Sequence, residues 1–195
     1  MRSAWQAAYV LLKPHIMEKN QVLDKQFRPY IPEAEVKKRV AAMAAQISSD
    51  MEGRNPLFVA ILNGAFVFAA DLFRDISVPA EISFVKVSSY MGTDTTGSVS
   101  DLIGLTEDIA GRTVIVVEDI VDTGLSMIHV LEMLQAKKPA EVRIAALLLK
   151  PDKLEVPLNI DYCGFKIPND FILGYGLDYD GYGRNLRDIY VLDTK

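Results

Sequence analysis

The sequence has very few of the residues that form disulfides and zinc sites. Cys163 is the only cysteine, so the chain cannot form an internal disulfide, and it fits a reducing compartment. The two histidines, His15 and His129, have no cysteine or second histidine at ligand spacing, which argues against a zinc site. We therefore expect neither kind of cross-link to support the fold.

Long apolar runs are also absent from the sequence. No stretch approaches the length that is needed to cross a membrane. The opening residues, MRSAWQAAYVLLKP, have an apolar stretch only from Ala7 to Leu12 and lack a small-residue cleavage site, unlike a secretion signal. These observations predict a cytoplasmic protein with no membrane partner.

Positive charge is in deficit. The chain has 21 lysines and arginines against 26 aspartates and glutamates, giving a formal net charge of -5. A protein that binds nucleic acid through a basic surface has the opposite balance, so we expect no nucleic-acid partner. The charge still allows a polyanionic small molecule to bind, provided that metal ions or backbone amides neutralise it locally.

Strands alternate with helices along the chain, which predicts a single α/β domain with a parallel sheet. The predicted strands are 56–62, 81–87, 112–118 and 141–150, with short candidates at 161–165, 171–173 and 188–192. The predicted helices are 32–51, 65–76 and 125–137, and 88–108 reads as a long loop. The first thirty residues give no clear pattern. In such sheets ligands bind where the strands end, so the site is expected around 63–64, 88 onward, 118 onward and 150.

The stretch VIVVEDIVDTGLSM, from Val114 to Met127, leads a buried strand into three carboxylates, Glu118, Asp119 and Asp122. Adjacent strand residues face opposite ways, so we expect the first two to serve a larger ligand, such as a sugar diol with its magnesium. The following DTGLS turns into a helix whose first amides lack intrahelical partners, which favours a bound phosphate.

The phosphate interpretation of this turn has an alternative. Asp122 could simply cap the helix, with the other acids exposed to solvent. Against that, Thr123 and Ser126 would add hydroxyl donors, and Gly124 would let the backbone approach a ligand closely. Other phosphate motifs fit worse, because the sequence has neither G-x-x-x-x-G-K-[ST] nor a complete G-x-G-x-x-G.

VIVVEDIVDTG resembles the phosphoribosyl-pyrophosphate (PRPP) signature of type I phosphoribosyltransferases, in its hypoxanthine-guanine form. Further segments are similar to motifs of the same family, in the same order. LNGAFVFAADL resembles the pyrophosphate loop and SSYMGTDTTGSV the mobile active-site loop, while LLLK and DFILGYGLDYDGYGRNL resemble the purine-binding segments. The resemblance covers roughly residues 30 to 193.

The resemblance implies the type I phosphoribosyltransferase fold, an α/β fold whose central, mostly parallel sheet is flanked by helices. One domain would span 1–195, with a core at about 35–150 and a small hood built from the termini, about 1–34 and 151–195. It implies Mg²⁺-dependent transfer of the 5-phosphoribosyl group from PRPP to N9 of a 6-oxopurine, hypoxanthine or guanine. The products would be IMP or GMP and pyrophosphate, in purine salvage. By analogy, the protein would be a homodimer or homotetramer.

The resemblance also implies which residues bind PRPP. Glu118 and Asp119 would hold the ribose hydroxyls and a magnesium ion. The 5′-phosphate would be bound by the amides of Asp122, Thr123, Gly124, Leu125 and Ser126.

Pyrophosphate would be bound by Asn63, Gly64 and Arg184, the first two in a loop that has a cis peptide bond in this family. Ser89 and Tyr90, in the mobile loop, would close over the reacting centre; a surface loop without a role is the alternative. Asn63 stands where some relatives carry a basic residue, and Leu125 replaces a lysine that is found in some members. Both departures weaken the local compensation of negative charge.

On the purine side, Lys150 would donate to O6, Phe171 would stack on the ring, and Ile172 would meet its edge through the main chain. Asp178 would lie in the same segment and hold a second magnesium. Asp122 would lie near N7 as the general acid or base, with a pKa raised by the nearby phosphate. The plainer alternatives are an exposed lysine at position 150 and a core aromatic at position 171.

Two other functions stay open at the level of sequence. One is a regulator that senses PRPP and binds nucleic acid, which Asp122 and the sequence pI of about 5.1 disfavour. The other is a phosphoribosyltransferase for another base, such as xanthine or uracil.

Overall fold

A central β-sheet organises the computed structural model, which describes residues 20–87 and 102–194. Along the chain the strands are β1 (Asn20–Val22), β2 (Lys25–Ile31), β3 (Leu57–Leu62), β4 (Glu81–Val87), β5 (Leu102–Ile103), β6 (Thr113–Val121), β7 (Glu141–Leu149), β8 (Tyr162–Lys166), β9 (Ile172–Leu173) and β10 (Ile189–Leu192). The helices are α1 (Glu33–Asp50), α2 (Phe66–Arg74) and α3 (Leu125–Gln135), and a short 3-10 turn follows β7 at Pro151–Lys153.

The central sheet has the strand order β5-β4-β3-β6-β7-β8. Neighbouring strands from β4 to β8 pair in parallel, and β5 adds an antiparallel edge. The predicted parallel sheet with flanking helices is therefore confirmed.

Alternate residues of the central strands pack against different helices. Phe58 and Ile115 join the cluster that contains the apolar side chains of α1 and α2. Val59 and Val116 join a second cluster with Met127, Val130 and Leu134 of α3. Strands that are covered on both faces need a continuous apolar sequence, which explains LFVAIL in β3 and VIVV in β6.

A second sheet has the antiparallel order β1-β2-β10-β9 and joins the two ends of the described chain. Neither β1 nor β2 was predicted; β1 pairs with β2, and β2 pairs with β10, which lies far away along the chain. The carboxylate of Asp188, just before β10, accepts a hydrogen bond from the amide of Glu33 at 2.7 Å. This contact fixes the start of α1 against the second sheet.

Several predicted boundaries differ from the structure by one or more residues. β6 continues to Val121, three residues beyond the predicted end at Glu118, so Asp119 also lies inside the strand. Val117 is the last residue of β6 that pairs with β3, so Glu118 and Asp119 lie beyond that pairing and remain beside β7. α3 ends at Gln135, two residues earlier than predicted. In the predicted loop 88–108, β5 forms a short strand, and residues 88–101 lie outside the described part of the chain.

No helix within residues 20–87 and 102–194 is both long enough and apolar enough to cross a membrane.

Truncating Phe58 should destabilise the fold strongly. Its side chain is fully buried and meets Phe73 edge-on, with ring centroids 5.5 Å apart. Phe58→Ala should therefore lower the free energy of unfolding by about 3–5 kcal/mol. Phe84 on the neighbouring strand is 42% exposed, so Phe84→Ala should cost about 1 kcal/mol or less. Urea unfolding measures both, and equal losses would contradict the assigned burial.

Candidate active site

The ends of three adjacent parallel strands bring the predicted site residues together. Asn63 and Gly64 follow β3, Asp122 follows β6, and Lys150 follows β7. Because β6 pairs with β3 on one side and β7 on the other, these residues share one edge of the sheet. That edge is where open α/β sheets bind ligands.

A cavity of about 250 Å³ lies at the end of β6 and the start of α3. Its polar lining comes from Glu118, Asp122, Thr123 and Ser126, and its apolar lining includes Ile61. Among the residues predicted for the 5′-phosphate, the side chain of Leu125 is instead largely exposed.

The turn into α3 has the geometry of an anion site. Gly124 has a φ of +85° and is the N-cap, and the amide of Ile128 makes a helical bond to its carbonyl at 3.0 Å. The amides of Leu125, Ser126 and Met127 therefore precede the first helical bond. The Leu125 amide has only a 3.4 Å contact with the Thr123 hydroxyl oxygen. Free amides at a helix N-terminus favour a negative ligand.

Asp122 is held by two lysines. Its Oδ2 accepts a hydrogen bond from Lys153 Nζ at 2.8 Å and from Lys150 Nζ at 3.3 Å. Its other oxygen, Oδ1, is buried and has no hydrogen-bond partner within the described residues. Neither oxygen of Asp122 accepts a hydrogen bond from an α3 amide within the described residues, so the interpretation of Asp122 as a simple helix cap is wrong.

The charge state of Asp122 differs from the predicted one. Burial raises the pKa of this carboxyl, but the hydrogen bonds and charges of Lys153 and Lys150 outweigh it. The net pKa is therefore lower than that of an ordinary aspartate, whereas we expected it to be raised. The expected rise rested on a nearby phosphate and on exclusion of water, and neither lysine was predicted to contact Asp122.

Glu118 and Asp119 behave as a pair. Burial raises the pKa of Glu118 well above its usual value, and the charge of Asp119 raises it further. Burial also raises the pKa of Asp119, although hydrogen bonds from Glu118 and the Ile120 amide oppose the shift. The two carboxyl groups interact directly, so the prediction that they face away from each other is wrong.

The loop after β3 packs tightly on Asp119. The peptide bond between Leu62 and Asn63 is cis, as the resemblance implied. A Cβ atom at Gly64 would lie 1.7 Å from Asp119 Oδ2, and one at Gly176 would lie 2.3 Å from the Gly64 carbonyl oxygen. Only glycines at both positions let the three segments approach this closely.

Arg184 and Asp178 pair with each other. Arg184 Nη2 lies 2.6 Å from Asp178 Oδ1, and Arg184 Nη1 donates to the Gly176 carbonyl at 2.7 Å. Asp178 also accepts a 2.7 Å hydrogen bond from the Gly181 amide. The Arg184 charge lowers the pKa of Asp119, which places the pair beside the acids of β6.

The plainer alternatives for Lys150 and Phe171, an exposed lysine and a core aromatic, do not agree with the structure. Lys150 is only 7% exposed and is not a solvated lysine, whereas Phe171 is 42% exposed and is not a core aromatic. The Phe171 ring meets Tyr179 edge-on at 5.7 Å, and Lys25 Nζ lies 5.5 Å from the ring centroid. Ile172 is buried in β9, so its main chain is rigidly held.

Ser89 and Tyr90 lie outside the described residues. Within the described part, no three or more His, Cys, Asp or Glu side chains gather into a group that could hold a metal ion. Lys153 contacts Asp122 but was not among the predicted site residues; the signal for it is Pro151, which follows a strand end and favours a turn.

Comparisons with known proteins agree on one family. The profile of the phosphoribosyl transferase domain matches residues 32–180. The hypoxanthine phosphoribosyltransferase of Salmonella typhimurium is 42% identical over 159 residues, covering 80% of this chain and 89% of that protein. The hypoxanthine-guanine phosphoribosyltransferase of Aquifex aeolicus is 36% identical over 175 residues, covering 89% and 98%.

A solved structure extends this agreement to the fold. The crystal structure of a hypoxanthine-guanine phosphoribosyltransferase from Bacillus anthracis has a TM-score of 0.76 at 38% identity, covering 85% of this chain and 96% of that one. The chain belongs to the phosphoribosyl transferase family.

Proposed function

We propose that the protein is a hypoxanthine phosphoribosyltransferase that transfers the 5-phosphoribosyl group of PRPP to N9 of a 6-oxopurine and releases pyrophosphate. The observation that carries this proposal is one cavity edge that combines free helix amides, a buried acid pair and a lysine-held carboxylate. A phosphate, a sugar diol and a purine need these three environments side by side. Guanine is included as a substrate because it offers the same O6 acceptor as hypoxanthine.

Glu118 and Asp119 suit a Mg²⁺ site. The raised pKa values of the two interacting carboxyl groups show that nearby positive charge is lacking, and a bound divalent cation would supply it, the protons being released to solvent. Mg²⁺ commonly binds one or two protein carboxylates and takes its other ligands from phosphates and water, so two acids suffice. When bound, it would offset the charge of the departing pyrophosphate.

Arg184 would exchange partners when PRPP binds. Its guanidinium is held by Asp178 and the Gly176 carbonyl, beside the Asn63–Gly64 loop. Pyrophosphate offers a stronger bidentate acceptor than one carboxylate. The released Asp178 would then be free to hold a second magnesium.

Lys150, Phe171 and Ile172 would form the purine subsite. A lysine donor opposite O6 selects oxopurines, because adenine presents a donor at that position. The exposed ring of Phe171 is available for stacking, and Ile172 would contact the ring edge through its main chain. Asp122 would take the proton from N7; its lowered pKa keeps the carboxylate ionised over a wide pH range and makes it a weaker base than an ordinary aspartate.

The remaining parts of the proposal concern assembly. The whole chain would form one domain, with the β1-β2-β10-β9 sheet as the hood over the purine. Ser89 and Tyr90 would close the site and exclude water during transfer. A homodimer or homotetramer is proposed by analogy.

A spectrophotometric assay tests the function directly. We expect turnover with PRPP, Mg²⁺ and hypoxanthine or guanine, none with adenine, and loss of activity with a magnesium chelator. Tight, salt-sensitive binding of RNA or DNA in a filter assay, without turnover, would instead support the nucleic-acid-binding regulator. Turnover with xanthine or uracil alone would change the assigned base.

Replacing Asp122 should separate chemistry from binding. Asp122→Asn cannot take a proton, so turnover should fall by about a hundredfold or more while PRPP binding is retained. Asp152→Asn, in the exposed turn, is the matched control and should keep wild-type kinetics. Initial rates and PRPP titrations measure both, and near-wild-type turnover of Asp122→Asn would remove its assigned role.

Replacing Lys150 should weaken the binding of the purine base more than the binding of PRPP. Lys150→Ala loses a charged donor to O6, so the KM for hypoxanthine should rise by about tenfold to a hundredfold. Binding of Mg·PRPP should persist. The decisive readout is the ratio of kcat/KM for hypoxanthine to that for adenine. If Lys150→Ala keeps the wild-type ratio, this lysine does not select the base.

Adding a methyl group at Gly64 should disturb PRPP binding. The new Cβ would overlap Asp119, so either the loop or the carboxylate must move. We expect kcat/KM for PRPP to fall by about a hundredfold in Gly64→Ala. Gly53→Ala is the control, because Gly53 has open space around it, and it should keep its kinetics at some cost in stability. Unchanged kinetics in Gly64→Ala would contradict the packing.

A further inference from the structure

Lys153 contacts the proposed base more closely than Lys150 does. Its Nζ lies 2.8 Å from Asp122 Oδ2, against 3.3 Å for Lys150 Nζ. Both ammonium groups use the same oxygen, and Oδ1 is left buried without a partner among the described residues. Asp122 itself lines the cavity, and Oδ1 is enclosed by the surrounding protein.

The backbone places Lys153 beside Asp122. Its amide donates to the Lys150 carbonyl at 3.1 Å, and the Lys150 amide donates to the Val121 carbonyl at 3.0 Å. Two residues further on, the Glu155 amide donates to the Thr123 carbonyl at 2.9 Å. Backbone hydrogen bonds therefore join the turn to the residues on both sides of Asp122. These bonds, and not only the side-chain contact, hold Lys153 beside Asp122.

The two lysines differ in their surroundings. The side chain of Lys150 is 8% exposed, whereas that of Lys153 is 39% exposed. In the proposed reaction, Lys150 donates to O6 of the base, and this new acceptor competes with Asp122 for the same ammonium group. If Lys150 were the only cation, Asp122 would lose its partner just as the base binds.

We propose that Lys153 is a positioning residue for the transfer reaction: it holds Asp122 through Oδ2, so that the carboxylate stays ionised and in place to take the proton from N7 while Lys150 turns to the base. In this step the N7–H bond breaks, an O–H bond forms on Asp122, and the electron pair stays on the purine. The inference rests on the proposed function, because it assigns Lys150 to O6.

The charges around Asp122 give the sign of the expected pH effect. Lys150 and Lys153 face it from the end of β7 and the following turn, and Glu118 lines the same cavity from β6. The lysines hold the pKa of Asp122 below its usual value against the effect of burial. Without Lys153 the pKa of Asp122 rises, so Asp122 becomes protonated at a higher pH than in the wild-type protein and can no longer act as a base there. The acid limb of turnover should move to higher pH.

A pH profile of three variants tests this role. In Lys153→Met, kcat on the acid limb should fall by about threefold to fivefold, which is the size expected for a partly exposed ion pair. The alkaline plateau and the KM for PRPP should stay close to wild type. Lys153→Arg keeps the charge and should restore the profile. Lys137→Met removes an exposed lysine with the same change in net charge and is the matched control.

The outcomes separate this inference from the proposed function. A Lys153→Met profile that overlays wild type overturns the inference, as does a loss of rate that is equal at every pH. If the wild-type protein shows no transfer activity, the proposed function fails. Carbon NMR titration of the Asp122 carboxyl, assigned with Asp122→Asn, then tests the ion pair alone. A higher pKa in Lys153→Met supports it, and an unchanged pKa overturns it.

Discussion

The parallel pairing of β6 between β3 and β7 sets the position of every group at the site. This strand is covered on both faces, so its register cannot slip without exposing buried valines. With the register fixed, Gly64, Asp122 and Lys150 must meet at the same edge. The buried valines of β6 hold the strand in place, so the acids at its end do not have to contribute to its stability.

The site keeps its charges balanced before any substrate binds. Asp122 has two lysines, Asp178 has Arg184, and Glu118 and Asp119 have raised pKa values. In the proposed reaction each substrate group would replace an existing partner: pyrophosphate would replace Asp178 on Arg184, and O6 would replace Asp122 on Lys150. Such an exchange avoids leaving a buried charge unpaired, which is the largest cost in forming a polar site.

Hydrophobic periodicity was enough to predict the central sheet and its helices, because buried strands such as VIVV and LLL depend on local sequence alone. It could not predict β1 and β2, because β2 pairs with the distant β10 and β1 pairs only with β2. The turn into α3, which has the geometry of an anion site, could be predicted from Gly124 and the start of the helix. The ion pairs could not, because the approach of Lys153 to Asp122 depends on the turn at Pro151 and on side-chain geometry.

Asn63 and Leu125, the two departures from the family pattern, leave fewer positive groups to compensate the negative charge of PRPP. Asn63 and Leu125 are neutral, so the loop after β3 and the first turn of α3 offer amides to a polyanion but no side-chain cation. Arg184, which lies close enough to Asp119 to lower its pKa, is then the nearby protein cation on the pyrophosphate side. Affinity for PRPP should consequently depend more steeply on Mg²⁺ in this protein than in relatives with a basic residue at either position, because the metal has to supply the charge that these side chains do not.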